Sequence, residues 1–204
     1  NSSIFTEDGE FIYYGPYQLY MSGVSDVQVK WTLEYRSGNP GIFEGDMFLS
    51  NDPWVGAAHQ MDVTLLSPVF WEGKLFCWIT NVLHQYDVGG ITPGSFCPNA
   101  RDAFDEGILI PPIKIADAGL AQPDIERIIL TNSRQPALMR GDMHAQVAVT
   151  RMGATRIKEL CERFGARVIL DAFAAILDGA ANALRAAIEK LPDGAASAEG
   201  FLDS

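Results

Sequence analysis

The sequence predicts an α+β fold, with an antiparallel β-hairpin and sheet core in the first half and long packed helices in the C-terminal half. Two observations predict it. Short apolar runs bounded by Gly, Asp, Asn and Pro turn signals fill residues 1–120, whereas helical periodicity dominates after Pro111-Pro112. Strands first and helices later is also not the alternation that winds a parallel sheet. The organisation is therefore a mainly β region, 1–120, and a helical region, 121–204, and Asn1 in place of an initiator Met is expected to mark a start inside a longer protein.

Residues 4–6 and 10–14 flank Glu7-Asp8-Gly9 and read as a hairpin, because Asp-Gly between apolar runs is a tight-turn signal. Residues 24–36 read two ways. Val27, Val29, Trp31, Leu33 and Tyr35 alternate as in a half-buried strand, whereas Val24, Val27, Trp31 and Tyr35 share a helical face. Ser25 followed by Gln28 has capping-box spacing, and on that ground and the resemblance given below a helix is expected. Residues 46–50 are a short strand ending in the Asn51-Asp52-Pro53 turn. Residues 63–70 and 75–82, rich in β-branched and aromatic side chains, flank Trp71-Glu72-Gly73-Lys74 and form a central hairpin. Three helices follow. Residues 123–132 open with Pro at the first turn. Residues 136–164 set Ile157, Leu160, Cys161 and Phe164 on one face and end at Gly165. Residues 167–190 carry Ile169, Phe173, Ile176, Leu177, Ala180 and Leu184 as a buried stripe, ended by Pro192-Asp193-Gly194.

With 48% hydrophobic and 20% charged residues, the 204-residue chain has the composition of a folded domain. Residues 1–120 hold fifteen acids against five bases, and the remainder is nearly balanced, so most of the net charge of −11 lies in the β region. That excess argues against nucleic acid, which needs clustered Lys and Arg. No run approaches the roughly 20 apolar residues of a membrane span. Three cysteines without CxxC spacing argue against a disulfide framework and for a reducing compartment, so the cytoplasm is expected.

Two of the three histidines occupy the same frame, His59-Gln60-Met61-Asp62 and His84-Gln85-Tyr86-Asp87, with both the histidines and the aspartates 25 residues apart. The central hairpin would put the first frame at the start of one strand and the second at the end of its antiparallel partner. Imidazole with carboxylate is the donor mix of a divalent zinc, manganese or iron site. Single His/Asp pairs are common at surfaces; two copies brought to one hairpin end are not so easily dismissed. His59, Asp62, His84 and Asp87 are the candidate metal residues. The loop after them, with Gly89, Gly90, Gly94 and Ser95, offers backbone N–H groups to a substrate or anion, although a tight structural loop explains it as well. Cys97 with His84 and Asp87 has the makings of a nucleophile, base and orienter, against the commoner inert cysteine that Cys77 represents. His144 stands near a helix start, where a solvent-facing role competes with a third metal imidazole.

The run from Gly45 to Pro53, then His59-Gln60-Met61-Asp62-Val63-Thr64, then His84 to Gly90 with Pro93-Gly94-Ser95, resembles the hydantoinase B family. So do Ala100-Arg101-Asp102 with Glu106-Gly107, Ile110-Pro111-Pro112-Ile113-Lys114, and Gly141-Asp142 with Ala145-Gln146, Arg151 and Gly153-Ala154. That family includes B-type subunits of N-methylhydantoinase and 5-oxoprolinase and subunits of acetone and acetophenone carboxylases. The resemblance implies a metal-bearing enzyme subunit that acts on a small ketone or cyclic amide. It also implies a hetero-oligomer with a hydantoinase A-type subunit that binds ATP and Mg, consistent with the lack of a GxxxxGK[ST] motif in this chain. The family's metal histidines map onto His59 and His84, and Asp62 and Asp87 carry over as ligands or as partners that orient them. Family members are longer, and an N-terminal Asp of the family would fall just before Asn1. Gln85 stands where many hydantoinase-type members have a second His. With Trp78 and Tyr86 this leans towards an ATP-dependent ketone carboxylase. A cyclic-amide hydrolase is the alternative, and an assembly subunit with a structural metal the second alternative. Four tryptophans before residue 80 suggest an exposed apolar patch at a subunit interface.

Overall fold

A computed structural model describes residues 1–16, 23–94 and 96–201. Among these residues seven strands form one antiparallel sheet: β1 (Ser2–Thr6), β2 (Phe11–Tyr14), β3 (Met47–Ser50), β4 (Asp62–Trp71), β5 (Lys74–His84), β6 (Ile113–Asp117) and β7 (Leu120–Ala121). Their spatial order is β2-β1-β5-β4-β3-β6-β7, so the β4–β5 hairpin lies in the middle, as expected. The helices are α1 (Ser25–Arg36), α2 (Pro123–Thr131), α3 (Pro136–Phe164) and α4 (Ala166–Ile188). The fold is α+β.

The hairpin is central because it is apolar on both sides. Leu65 packs with Val63, Met139 and Met143 towards α2 and α3, while its neighbour Leu66 packs with Phe5, Phe48, Trp78 and Val29 of α1 on the other face. Each such side chain, fully buried, contributes about 1.5–3 kcal/mol. Covering both faces explains why residues 63–70 read as a continuous apolar run instead of an alternation. The ladder runs from Trp71↔Lys74 at the turn to Asp62↔His84 at the open end, with an irregularity between Val69 and Phe70 that leaves Phe76 unpaired on β5.

Helix α1 confirms the helical reading of residues 24–36 but not its face. Ser25, Gln28, Val29 and Thr32 are the buried residues, whereas Val24, Val27 and Tyr35 are exposed. Packing decides: Val29 enters the cluster around Phe5, Phe48 and Trp78, and the polar residues beside it follow it inward. The capping box does not form, since Val24 is the N-cap and the side chains of Ser25 and Gln28 have no hydrogen-bond partner among the described residues. Helix α3 has the expected bounds, but Leu160 and Phe164 stay partly exposed. In α4 only Ile169 and Phe173 of the expected stripe are buried, and Ile176 and Leu184 are exposed. The helix packs on β2, the edge strand, where Ile176, Leu177 and Ala180 face Phe11, Ile12 and Tyr13 across a cavity. None of the helices among the described residues is long and apolar enough to cross a membrane.

The β6–β7 hairpin is not expected from periodicity. A buried ion pair anchors it. Asp46, fully buried, accepts from the backbone N–H of Phe43 and of Ala118, both at 2.7 Å, and Lys114 Nζ lies 2.9 Å from its Oδ2. Burial tends to lower the Lys114 pKa, but its bonds to Asp117 and Asp46 outweigh that and hold it above the ordinary lysine value.

Candidate metal centre

The open end of the β4–β5 hairpin carries the site. Asp62 and His84 are the last directly opposed pair of the ladder, which places their side chains on one face at the same level. His59 arrives from the loop before β4. That loop starts in a 3-10 turn, Pro53–Val55, whose N-terminus Asp52 caps by accepting from Trp54 N at 2.9 Å. Gly56 follows with φ of 93°, and a Cβ there would lie 2.5 Å from the Val24 carbonyl, so only glycine lets the loop close against the start of α1.

Three ligand-type side chains converge as a result. Donor atoms of His59, Asp62 and His84 all lie within 4.8 Å of one another. His59 Nε2 is 3.3 Å from Asp62 Oδ2, and the two imidazole rings have centroids 5.0 Å apart. Asp62 is fully buried, yet neither carboxylate oxygen accepts a well-formed hydrogen bond among the described residues. Burial raises the Asp62 pKa, and the adjacent imidazoles pull it down without cancelling the rise. A buried carboxylate that accepts no well-formed hydrogen bond is costly alone and is relieved by a cation. Two histidines and one carboxylate suit a divalent zinc, manganese or iron ion and leave coordination positions open.

Asp87, the fourth expected ligand, is not brought into this cluster. Its Oδ1 accepts from Gly89 N at 3.0 Å and Arg134 N at 3.1 Å; its Oδ2 accepts from Gly94 N at 3.0 Å and the Arg134 guanidinium at 3.1 Å. Burial tends to raise its pKa, but these bonds outweigh that and hold the carboxyl below the usual carboxylate range. Asp87 is thus a latch that ties the glycine loop to the α2–α3 junction, and Arg134 completes it by donating to the Gly90 carbonyl. The anion-loop reading weakens for the same reason, because the amides of Gly89 and Gly94 already face a carboxylate of the protein itself. Ser95 lies outside the described residues.

Nor is the Cys97–His84–Asp87 constellation assembled, since both Asp87 oxygens are engaged elsewhere. Cys97 Sγ contacts Thr92 Oγ1 at 3.4 Å and lines, with His59, Met61, Phe96 and Glu106, a cavity of about 160 Å³. Cys77 is buried in the sheet, and burial pushes its thiol pKa far up, as an inert cysteine requires. His144 is exposed beside Glu126, its Nε2 at 3.6 Å, and belongs to a surface cluster with Arg140.

Several supporting residues escape a reading of the sequence. The Asn51 side chain donates to the carbonyls of Gln60 and Ile108 and accepts from Ile110 N, and so stitches the His59 loop to the segment before β6. Gln60 Nε2 donates to the Ala103 carbonyl at 2.7 Å. The neighbourhood of each in the sequence, an Asn-Asp-Pro turn and the His-Gln-Met-Asp frame, is the only signal. Trp54, Tyr86, Ile91, Phe96 and Phe104, on the segments that flank the two histidines, are all exposed, Trp54 at 85%.

Comparison with known proteins places this geometry in context. The family model described as hydantoinase B/oxoprolinase matches residues 1–204. The chain is 36% identical over 190 residues to the B-type subunit of a putative D-/L-hydantoinase of Pseudomonas sp. (strain NS671), covering 93% of this chain and 31% of that one. It is 31% identical over 204 residues to the acetophenone carboxylase delta subunit of Aromatoleum aromaticum, covering 99% of this chain and 29% of the relative. The crystal structure of an ATP-dependent caprolactamase from Pseudomonas jessenii matches with a TM-score of 0.88 at 30% identity, over 95% of this chain and 33% of that one. The chain thus spans about a third of the length of these relatives.

Proposed function

Because the chain belongs to the hydantoinase B/oxoprolinase family, we propose that it is the metal-bearing part of an ATP-dependent enzyme that attacks a carbonyl carbon of a small molecule, with a cyclic amide as substrate. One observation carries the reading: His59, Asp62 and His84 converge at the open end of the central hairpin, beside a cavity, with Asp62 buried and accepting no well-formed hydrogen bond among the described residues. Donors at that position suit a catalytic ion better than a structural one, which would be closed by a fourth protein ligand. A divalent ion held there supplies Lewis acidity towards a carbonyl oxygen. The chain's own residues do the rest. His59 and His84 offer imidazole nitrogens, Asp62 a carboxylate, and Met61 and Phe96 line the adjoining cavity with apolar surface.

Hydrolysis of a cyclic amide is favoured by the likeness to the hydantoinase relative and to the caprolactamase. Two of the three residues that lean towards a ketone carboxylase, Trp78 and Gln85, are fully buried, and Trp78 belongs to the core beneath α1. Ketone carboxylation is the second reading, supported by the likeness to the acetophenone carboxylase delta subunit along almost the whole chain. In either case ATP binds on a hydantoinase A-type partner within a hetero-oligomer, which agrees with the ATP-dependence of the caprolactamase and the lack of a Walker-type motif in this chain. The test is metal content and turnover of the complete complex. Wild type should carry a divalent ion that His59→Ala, His84→Ala and Asp62→Asn each lose, together with lactam-dependent ATP consumption. Metal content unchanged in all three would refute the reading, and ATP consumption driven by ketone with bicarbonate but not by lactam would select the second one.

A further inference from the structure

A second cavity, of about 540 Å³, opens near the turn end of the central hairpin. It lies across the sheet from the metal cluster. Side chains alternate along β4, so Ser67 and Val69 share with Leu65 the face towards α3, whereas Asp62 shares with Leu66 the face towards α1. Ser67 is also five residues along the strand from Asp62, roughly 17 Å at about 3.4 Å per residue. A molecule held in this cavity is therefore not the one that reacts at the metal cluster.

Floor and wall differ in character. Buried Met47 and Val69 make an apolar floor. The wall is α3, where Arg151, Thr155 and Lys158 project along one helical face, and Ala154 among them carries too small a side chain to fill the space. The three polar groups are not equally committed. Thr155 Oγ1 donates to the Arg151 carbonyl one turn back, and Lys158 Nζ pairs with Glu44, the one acidic side chain of the lining. Arg151 has no ion pair or side-chain hydrogen bond among the described residues, although the chain carries 26 acids against 15 bases. Asp46, two residues from Glu44, does not serve it, because its oxygens are taken by Phe43, Ala118 and Lys114. Two cations and one anion thus stand over an apolar floor. A guanidinium offers N–H donors in a planar fork and no acceptor, so the group it selects is an oxyanion. Cavities of about 300–1,000 Å³ with apolar walls and a few placed polar groups hold small organic molecules. We propose that this cavity is a second ligand site, which takes a small molecule joining one carboxylate or phosphate to an apolar ring, with Arg151 as the anchor.

Fluorine NMR titration of the full-length protein tests this with four probes. 4-Fluorobenzoate and 4-fluorophenyl phosphate carry ring and oxyanion, 4-fluorobenzyl alcohol the ring alone, and trifluoroacetate the charge alone. At least one ringed anion should give saturable line broadening, with a Kd about tenfold below those of the alcohol and trifluoroacetate; the tighter of the two identifies the oxyanion. Arg151→Ala should raise that Kd about tenfold, and Arg151→Lys, which keeps the charge without the fork, should raise it less. Arg127→Ala, on α2 and away from the cavity, should change nothing. His59→Ala should bind the anion as wild type does. Binding of the alcohol or trifluoroacetate as tight as that of the ringed anions, or no binding of either ringed anion, overturns the proposal without recourse to any variant. So does an anion response that survives Arg151→Ala, or one lost in a folded His59→Ala, which would put the anion on the metal cluster. Release of the ATP-binding partner by Arg151→Ala, with every probe silent, would make the cavity a subunit contact and equally overturn it. These readouts use neither metal content nor turnover, so the second site and the metal reading fail separately.

Discussion

If Asp87 is a latch and not a ligand, Asp87→Asn should weaken the fold while leaving the metal in place. The wild-type carboxylate accepts three backbone N–H groups, from Gly89, Gly94 and Arg134, and one guanidinium N–H. An asparagine carbonyl oxygen serves two donors at most, and its NH₂ turns a donor towards those left over. At about 1–3 kcal/mol for each donor left unpaired, and with the attraction for a half-exposed Arg134 discounted for screening, the expected loss is about 2–4 kcal/mol. With a urea m-value of about 2–3 kcal/mol/M, the unfolding midpoint should fall by roughly 1 M. The pH dependence has a definite sign. A carboxyl whose folded pKa lies below its unfolded value, about 3.9, gives its full stabilisation above that value and loses it as pH falls through the folded pKa. Acidification below about pH 4 should therefore narrow the gap between wild type and Asp87→Asn. Equilibrium urea unfolding between pH 3 and 7, paired with metal analysis, is the assay. Stoichiometric metal loss in Asp87→Asn with an unshifted midpoint would show that the carboxylate coordinates and does not latch.

Two further perturbations probe the scaffold. Gly90→Ala forces a Cβ into the Asp105 and Glu106 backbone at a left-handed φ and should cost roughly 2–4 kcal/mol; differential hydrogen exchange should localise the loosening to residues 87–107, and uniform protection would contradict the close packing. Asp46→Ala leaves Lys114, whose side chain is only 9% exposed, with Asp117 as its one remaining ion-pair partner among the described residues, and should cost about 3–5 kcal/mol, roughly 10 °C in Tm; calorimetry showing a shift under 2 °C would deny the pair that role.

What the sequence made legible was periodic or local. The central hairpin and α3 follow from apolar spacing and flanking Gly and Pro, and the His59/Asp62/His84 convergence follows from joining the paired frames through that hairpin. What it hid was long-range. Asp87 has the same place in its frame as Asp62, yet Arg134, 47 positions on, claims it. The buried side of α1 is set by Val29 meeting Phe5, Phe48 and Trp78 from three strands, against the pattern of its own turn-to-turn residues. The β6–β7 hairpin depends on Asp46 reaching Lys114 and Ala118, which no window of neighbouring residues contains.

The unpaired Phe76 has a consequence for how this hairpin tolerates change. Counted from the turn without a bulge, Asp62 would oppose Leu83, and His84 would fall one step out of phase with it. The extra residue on β5 corrects the count by one and returns His84 to the level of Asp62. Insertions or deletions within the paired part of β5 are therefore subject to a parity rule. One residue inserted in β5 between Cys77 and His84 turns His84 to the other face unless a bulge is gained or lost with it, whereas two keep the face but move His84 off the level of Asp62.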